Sequence, residues 1–367
     1  MKIKVLVIDD SALIRNILKE IINEQSDMTV VGAAPDPLVA REMIRSLNPD
    51  VLTLDIEMPN MNGLSFLKRL MRVRPMPVVM LSSHTQEGSD IAFRALAMGA
   101  VDFVGKPVAG GAGGGGDDDY PQLIVEKIRA AYAARDKIEP LDINRAVDAD
   151  EVLPNLANSA VTQSKVIVIG ASTGGAEALK DILAAMPEDC PPILIAQHMP
   201  GTFTKLFAKR LDGLCKISVK EAEDEEPALP GNAYVAPGGY HLRLARYGAR
   251  GYGVKLTQDA PVNLHRPSVD VLFQSAAENA GADVVGVILT GMGKDGAQGM
   301  LTMRQKGAFT IAQDEATSIV FGMPKEAIDI GAAQAVVPLP QIARRIMSFL
   351  AGADGATGSA VGGKIST

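Results

Sequence analysis

The feature that most constrains the fold is a repeated alternation between short apolar runs and amphipathic segments. In the first third of the chain, the segments between the runs carry apolar residues at helical spacing, as Ile14, Leu18 and Ile21 do. Five strand–helix repeats indicate a parallel sheet with helices on both faces, a flavodoxin-like (βα)5 domain of class α/β. The predicted strands are residues 3–8, 29–32, 51–54, 78–81 and 101–104.

The second half of the chain follows the same logic. Its apolar runs are continuous rather than alternating, which is typical of strands buried on both faces of a parallel sheet. They occupy residues 166–169, 193–196, 284–289 and 308–312. Residues 243–245 and 254–256 flank a Gly-rich turn and predict an antiparallel hairpin at an edge. We therefore expect a doubly wound, mostly parallel α/β sheet with an antiparallel edge hairpin.

Two stretches of biased composition suggest the domain boundaries. Residues 109–119 consist of Gly, Asp and Ala, and residues 138–164 are polar and weakly periodic. Residues 120–135 between them have helical spacing and predict the last helix of the first domain. The predicted organisation is a first domain at 1–137, a flexible linker at 138–164, a second domain at 165–351 and a flexible tail at 352–367.

Composition excludes several classes of function. The net charge of −7, the aromatic content of 4% and the lack of Trp disfavour a nucleic-acid binder, which needs basic patches or stacking platforms. Cys190 and Cys215 are too few for a zinc site or a disulfide framework and fit a reducing compartment. No apolar stretch approaches the ~20 residues of a membrane span. We expect a soluble cytoplasmic protein that is not inserted in a membrane.

Acidic residues follow two of the strands predicted in the first domain. Asp9 and Asp10 close the first strand and Asp55 closes the third, so a parallel sheet brings them together at one edge. Clustered carboxylates repel one another unless a cation lies among them, and an oxygen-rich set of this kind suits Mg²⁺. Ser82 and Lys106 follow the fourth and fifth strands, where a hydroxyl and an ammonium group can hold phosphoryl oxygens.

These residues resemble the receiver domain of two-component response regulators, over residues 1 to about 135. The resemblance implies that Asp55 is phosphorylated, that Asp9 and Asp10 hold Mg²⁺ with it, and that Lys106 pairs with the acyl phosphate. Ser82 would bind the phosphoryl group, with Ser83 as the alternative register. The Gly-rich insertion departs from the receiver pattern. The strings are Asp9-Asp10, Leu54-Asp55-Ile56-Glu57-Met58-Pro59 with Gly63, Ser82 and Lys106-Pro107.

A serine lies at the end of the first strand of the second domain. The sequence runs into Gly170-Ala171-Ser172-Thr173-Gly174-Gly175 and then into a helical pattern, so a sharp turn exposes Ser172 at a helix N-terminus. His198 follows the next strand and is the candidate base. By itself, the same string also fits a glycine loop that cradles a phosphate or a dinucleotide.

A third residue completes a possible catalytic triad. The run 284–289 leads into Thr290-Gly291-Met292-Gly293-Lys294-Asp295-Gly296, which offers Asp295 to orient the histidine. The alternative is a phosphate loop with Lys294 as the ligand. The chain order Ser, His, Asp differs from the Ser, Asp, His order of α/β-hydrolases, so the serine string does not indicate that fold.

The order and the strings resemble the catalytic domain of the chemotaxis protein-glutamate methylesterases, the CheB family, from about residue 165 to 350. The resemblance implies Ser172 as nucleophile, His198 as general base and Asp295 as orienting carboxylate. The N–H of Met292 would contribute to the oxyanion hole. Thr173, His265 and Arg266 would line the substrate cleft. The further strings are Gln197-His198-Met199-Pro200, Ala236-Pro237-Gly238 and His265-Arg266-Pro267-Ser268-Val269-Asp270.

The resemblance implies an enzyme that hydrolyses glutamate γ-methyl esters on methyl-accepting chemoreceptors, and that deamidates glutamines in some members. A chemotaxis histidine kinase would be the phosphodonor, and the esterase step would need no cofactor. The unphosphorylated receiver would pack over the mouth of the cleft. Two rival hypotheses remain. The first is a nucleotide-binding module, which is disfavoured because Ser172 occupies the position of the second Gly in a dinucleotide-binding turn. The second is a receiver-driven transcription factor, which is disfavoured because the chain is acidic.

Overall fold

A computed structural model describes residues 2–58, 62–83, 85–106, 120–140, 159–248 and 251–352. Two parallel sheets, each covered by helices on both faces, account for most of this part of the chain. This is the α/β architecture expected from the alternating pattern. Among the described residues, none of the helices combines the length and apolar character that a membrane crossing requires.

The N-terminal sheet has five parallel strands in the order β2-β1-β3-β4-β5, as the flavodoxin-like prediction requires. Its strands are β1 (Ile3–Ile8), β2 (Met28–Ala34), β3 (Val51–Asp55), β4 (Val78–Ser82) and β5 (Asp102–Gly105). Its helices are α1 (Ala12–Asn23), α2 (Pro37–Leu47), α3 (Gly63–Val73), α4 (Gln86–Ala97) and α5 (Tyr120–Ala133), followed by a 3₁₀ turn at Arg135–Lys137.

The alternation of side chains along β1 divides the N-terminal core into two layers. Leu6 and Ile8 face the layer that contains α2, α3 and α4, whereas Val5 and Val7 face α1 and α5. The stripe predicted in the first helix is buried at Ile14, Leu18, Ile21 and Ile22, and Ser11 caps the helix by accepting a hydrogen bond from the N–H of Ile14.

The C-terminal sheet has seven strands in the order β14-β13-β12-β6-β7-β9-β8, and all of its pairings are parallel. Its strands are β6 (Val166–Ala171), β7 (Ile193–Gln197), β8 (Ser218–Glu221), β9 (Asn232–Val235), β12 (Val284–Ile288), β13 (Phe309–Gln313) and β14 (Ala335–Val337). The helices are α6 (Ser159–Ser164), α7 (Gly175–Ala185), α8 (Gly201–Asp212), α9 (Val269–Asn279), α10 (Ala297–Gln305), α11 (Met323–Asp329) and α12 (Leu339–Leu350), with a 3₁₀ turn at Gly281–Asp283.

The predicted hairpin forms, as β10 (His241–Arg246) and β11 (Tyr252–Thr257), but in a separate two-stranded sheet instead of at an edge of the main one. Strands β8, β9 and β14 were missed because they are short and include half-exposed or exposed residues, so they lack a continuous apolar run.

Three predicted segments have a different outcome. Within the predicted linker, residues 159–164 form α6 and not a coil. The Gly-rich insertion at 109–119 and the rest of the linker, residues 141–158, lie outside the described residues. The predicted tail also lies outside them from residue 353 onward.

Aromatic residues join the two sheets into one packed structure. Phe103 of β5 contacts Phe203 of α8 with ring centroids 4.7 Å apart. Phe93 of α4 stacks on Phe207 of α8 at 5.5 Å. The N-terminal and C-terminal core residues around these rings form a continuous apolar cluster. Helix α4 and strand β5 of the N-terminal domain therefore pack on α8, the helix that follows β7.

Candidate active site and candidate phosphorylation site

Strands β12, β6 and β7 lie side by side in the middle of the C-terminal sheet, so the residues that follow them meet at one edge. Ser172 directly follows β6, His198 directly follows β7, and Asp295 lies in the loop between β12 and α10. The structure therefore brings together the three residues that the sequence analysis selected, at the edge where parallel sheets bind ligands.

A tight turn presents Ser172. Its carbonyl accepts a hydrogen bond from the N–H of Gly175 at 2.7 Å, and Gly174 has a φ of +79°, a conformation that suits glycine. The N–H of Ser172 donates to the carbonyl of Thr290 at 3.0 Å. A Cβ on Gly291 would lie 2.7 Å from the Cβ of Ser172, so only glycine lets the second loop approach this closely.

His198 and Asp295 form the contact that a triad requires. The Nε2 of His198 lies 2.8 Å from the Oδ2 of Asp295, and both side chains are buried. Because the carboxylate accepts, Nε2 carries the hydrogen in this pair and Nδ1 is the nitrogen left to take a proton.

Several polar atoms of residues that line this cavity are buried without a hydrogen-bond partner, and two of them belong to the predicted triad. Within the described part of the chain, neither the Oγ of Ser172 nor the Nδ1 of His198 has a hydrogen-bond partner. Both residues line the same cavity, and Ser172 is only 1% exposed. Buried polar atoms are normally satisfied, so such exceptions are typical of reactive groups. A hydroxyl and an unengaged imidazole nitrogen in one cavity are the parts of an activated nucleophile.

Asp295 is held by several groups besides His198. Its Oδ1 accepts from the Nδ2 of Asn263 and the Oγ of Ser268, each at 2.8 Å. Its Oδ2 also accepts from the N–H of Val269 at 2.6 Å, at the first turn of α9. Although burial raises the pKa of this carboxyl, His198, Asn263 and Val269 outweigh it and hold the pKa below its usual range. Ser268 had a sequence signal, since a serine before a helical run is a typical N-cap.

The structure places His265 and Arg266 at the same cavity. The ring of His265 stacks on that of His198, with centroids 3.6 Å apart and an interplanar angle of 15°. Burial, together with the neighbouring His198, lowers the pKa of His265 well below its usual range, so it is neutral at pH 7. Arg266 donates to the carbonyls of Gln258 and Asp259, each at 3.1 Å.

Thr173 is predicted to line the substrate cleft, and in this structure its buried side chain contacts the N-terminal domain. Its Oγ1 donates to the Oδ2 of Asp102 in β5 at 2.6 Å. Lys127 of α5 forms an ion pair with the same oxygen at 2.8 Å and lies 3.4 Å from the hydroxyl. Although burial lowers the pKa of Lys127, Asp102 and Glu126 outweigh it and raise the pKa, so the ammonium is retained. Asp102 and Lys127 were not predicted as site residues, because nothing in one sequence marks a pair that faces another domain.

Met292 lies in the loop after β12 and packs, together with Val320, against the apolar cluster around β1 and α5. Its role in the oxyanion hole stays a prediction.

The cavity beside Ser172 is closed on one side by the N-terminal domain. Its volume is about 620 Å³, and its walls come from both domains. Glu126 of α5 reaches it, with its Oε2 3.5 Å from the Nε2 of His265. The described structure therefore holds the serine site in a covered state. The lining includes Phe103, Lys106, Leu123, Glu126, Ser172, His198, His265 and Arg266.

The carboxyl edge of the N-terminal sheet carries the second candidate site. Asp9, Asp10 and Asp55 each offer an oxygen within 4.8 Å of the others. The Nζ of Lys106 lies 2.7 Å from Asp55 and 3.2 Å from Asp9. Burial and the charge of Asp9 raise the pKa of Asp55 to about 6, against the opposing effect of Lys106. The negative charges of these three carboxylates repel one another, and their oxygen atoms are suitable ligands for a hard divalent cation such as Mg²⁺.

Ser82 is buried at the end of β4, and its hydroxyl donates to the carbonyl of Ser83 at 3.2 Å. The side chain of Ser83 instead donates to Glu57 at 3.0 Å. The two serines thus occupy different environments. Ser82 lies at the same strand-end edge as Asp55 and Lys106. Its choice over Ser83 as the residue that binds the phosphoryl group stays a prediction.

Comparison with protein families gives two matches that do not overlap. Residues 5–112 match the model described as "Response regulator receiver domain". Residues 167–346 match the model described as "CheB methylesterase".

Curated relatives resemble the chain along nearly all of its length. A "Protein-glutamate methylesterase/protein-glutamine glutaminase 2" from Cupriavidus pinatubonensis is 61% identical over 95% of this chain and 96% of its own. A protein from Burkholderia lata with the same name and the number 3 is 58% identical, again over 95% of this chain and 96% of its own. A protein from Nitrosomonas europaea with that name is 59% identical over 96% of this chain and 98% of its own.

Proposed function

The chain belongs to the CheB methylesterase family with an N-terminal receiver domain, and we propose that its serine site is the catalytic centre of a phosphorylation-controlled protein-glutamate methylesterase. Its substrates would be glutamate γ-methyl esters of methyl-accepting chemoreceptors. The single observation that carries the proposal is the buried His198–Asp295 pair beside the unpartnered hydroxyl of Ser172.

The residues support a two-step ester hydrolysis. The Oγ of Ser172 attacks the ester carbonyl as its proton passes to the Nδ1 of His198, and the C–O bond to methoxide breaks as that proton is returned, releasing methanol. Water then attacks the acyl-serine, its proton passes to His198, and the glutamate acid and Ser172 are regenerated. Asp295 fixes the ring and stabilises the imidazolium in both steps. No cofactor enters the reaction.

Each tetrahedral intermediate carries an oxyanion that needs donors already in place. We assign one donor to the N–H of Met292, which lies in the glycine-rich loop that approaches Ser172 through Gly291. Removing one such donor from a serine hydrolase typically lowers the rate by ~100- to 1000-fold. The same geometry accepts a glutamine side chain, with ammonia as the leaving group, which accounts for the second activity in the relatives' names.

The contacts between the domains support control by closure. Asp102 and Lys127 hold Thr173, the residue after the nucleophile, and Glu126 lies against His265. The N-terminal domain thus occupies the approach to Ser172, and a receptor helix cannot reach the serine while these contacts persist. Phosphorylation would have to favour a state in which they are broken.

Asp55 is the proposed phosphoacceptor, with a chemotaxis histidine kinase as the phosphodonor. Asp9, Asp10 and Asp55 would hold Mg²⁺, which neutralises the charge that accumulates when a phosphoryl group approaches the carboxylates. Lys106 would pair with the acyl phosphate, and Ser82 would bind one of its oxygens. Phe103 of β5, three residues before Lys106, packs on Phe203, which gives a short path from this site to the interface. We also propose a cytoplasmic location, in keeping with two free thiols.

The proposal is tested by methanol release from methylated chemoreceptor membranes, with and without a small phosphodonor and Mg²⁺. We expect the full-length chain to release methanol slowly and to be stimulated by the phosphodonor. Asp55→Ala should keep the slow rate and lose the stimulation, because the acyl phosphate cannot form. Chelating Mg²⁺ should have the same effect on the unaltered chain.

A chain that releases no methanol under any of these conditions would refute the esterase proposal. Stimulation that survives in Asp55→Ala would refute Asp55 as the phosphoacceptor and leave the esterase proposal intact. Asp50→Ala is a matched control, because Asp50 precedes the same strand and its carboxylate accepts from the N–H of Lys4, away from the acidic cluster. It should be stimulated like the unaltered chain.

A further inference from the structure

We infer that Asn263 and Ser268 are positioning residues for the esterase reaction. They act through Asp295, because they fix its carboxylate so that only Oδ2 faces His198. The inference rests on the proposed function and adds to it the residues that orient the carboxylate of Asp295. Neither residue belongs to the string around Ser172 or to the loop of Asp295. Both lie in the segment between β11 and the first turn of α9.

The two oxygens of Asp295 have different tasks. Oδ2 accepts from Nε2 of His198 and from the N–H of Val269. Oδ1 accepts from the amide of Asn263 and the hydroxyl of Ser268, with a longer contact of 3.2 Å from the N–H of Asp270. A carboxylate held at Oδ1 by two side chains cannot rotate about its Cβ–Cγ bond without breaking both bonds. The contact with His198 is thereby fixed.

Asn263 also contacts a second carboxylate, that of the half-buried Asp270. Its Nδ2 donates one hydrogen to Asp295 at 2.8 Å and lies 2.7 Å from the Oδ2 of Asp270. Asp270 also accepts from the N–H of Gly299 at 2.6 Å. One amide therefore bridges two carboxylates that would otherwise repel each other. Its two hydrogens match the two acceptors, and a carboxylate at this position would match neither.

The local backbone conformation at position 263 suits asparagine. Its φ is +51°, in the left-handed region, where asparagine is one of the few residues other than glycine that is tolerated. Replacement by glycine therefore removes the amide while keeping the backbone conformation. The test variant thus separates the hydrogen bonds from the turn itself.

Ser268 joins the start of α9 to the site. Its hydroxyl donates to Asp295 and accepts from the N–H of Val271 as the N-cap of the helix. Its own N–H donates to the Nδ1 of the buried His241 at 3.2 Å, and the Nε2 of His241 bonds to the carbonyl of Ala260 at 3.1 Å. The loop is thus held at both ends around Asp295. The titratable groups facing Asp295 are His198, His265 and Asp270.

The experiment measures kcat and KM for methanol release against pH, in full-length chains without phosphodonor so that Asp55 chemistry does not enter the profile. For Asn263→Gly we expect kcat to fall roughly 10- to 100-fold with KM unchanged, the size expected for lost hydrogen bonds to a charged group. The acid limb of the profile should move to higher pH, because an Asp295–His198 pair with fewer donors takes up its proton more readily. Ser268→Ala should behave alike, and Ser268→Thr should restore most of the rate.

Asn279→Ala is the matched control, since Asn279 lies at the far end of α9 and, within the described part of the chain, its amide donates to the carbonyls of Leu244 and Ser275 and not to Asp295. A lower rate at every pH with an unmoved acid limb would mean a structural role and would overturn the inference, as would an unchanged kcat in Asn263→Gly. Failure of the proposed function is distinguishable, because the unaltered chain would then release no methanol.

Discussion

Ser172→Ala should reduce methanol release by about 10⁴- to 10⁶-fold, as loss of the nucleophile does in other serine hydrolases. The alanine keeps the turn, because the N–H and carbonyl that fix it belong to the backbone. It removes the hydroxyl that we propose the His198–Asp295 pair activates. The measurement is methanol release with phosphodonor and Mg²⁺ present, so that the cleft is open.

The control for this variant is Ser275→Ala. Ser275 is also buried in the C-terminal domain, and its hydroxyl bonds to the N–H of Leu244 and the carbonyl of Leu272 instead of lining the cavity. Its loss should cost about 1–3 kcal/mol of stability without lowering kcat, because a buried donor is left unsatisfied. A Ser172→Ala chain that releases methanol at the rate of the unaltered chain would contradict the serine mechanism and favour the alternative that the glycine loops bind phosphate.

Asp102→Ala should raise the unphosphorylated rate by about 10- to 100-fold and leave little further stimulation by phosphodonor. The variant leaves Lys127 buried at the interface without its ion-pair partner and leaves Thr173 without its acceptor. Breaking a buried pair typically costs about 3–5 kcal/mol, and this cost falls on the closed state because opening exposes Lys127 to water. For comparison, moving an equilibrium from 1:99 to 99:1 needs about 5.5 kcal/mol.

Two further variants make the test specific. Asp27→Ala breaks the ion pair of Asp27 with Arg129, which is on the same helix as Lys127 but contacts the N-terminal domain itself, so the basal rate should not change. Adding Lys127→Met to Asp102→Ala should return the rate toward the basal value, since an apolar side chain tolerates the buried position. An Asp102→Ala chain with an unchanged basal rate would show that the Asp102–Lys127–Thr173 contact does not hold the domains closed.

The residues of both sites that follow buried strands could be predicted from the sequence. Ser172, His198, Asp9 and Asp55 directly follow apolar runs, and the pairing of parallel strands dictates that such positions meet. Asp295 lies farther along its loop, and it was predicted because it stands in a glycine-rich string after a buried strand. The outer strands were missed because a strand of three or four residues gives too little pattern.

What the sequence did not reveal is contact between distant segments. Asn263 precedes Asp295 by 32 positions, and no periodicity indicates that its amide reaches that carboxylate. Lys127 resembles a solvated residue on an amphipathic helix, yet it is buried against Asp102 and Thr173. The stacking of His265 on His198 likewise depends on a loop conformation that only the assembled structure defines.

The most direct test of the central claim, that the N-terminal domain controls access to a nucleophilic Ser172, is the rate at which a bulky biotinylated fluorophosphonate modifies the full-length chain. The modified residue is identified by mass spectrometry, with and without phosphodonor and Mg²⁺. We predict modification at Ser172 that is slow in the unphosphorylated chain, faster with phosphodonor, and not accelerated in Asp55→Ala. Modification at another residue, or a rate at Ser172 that phosphodonor leaves unchanged, would contradict the account.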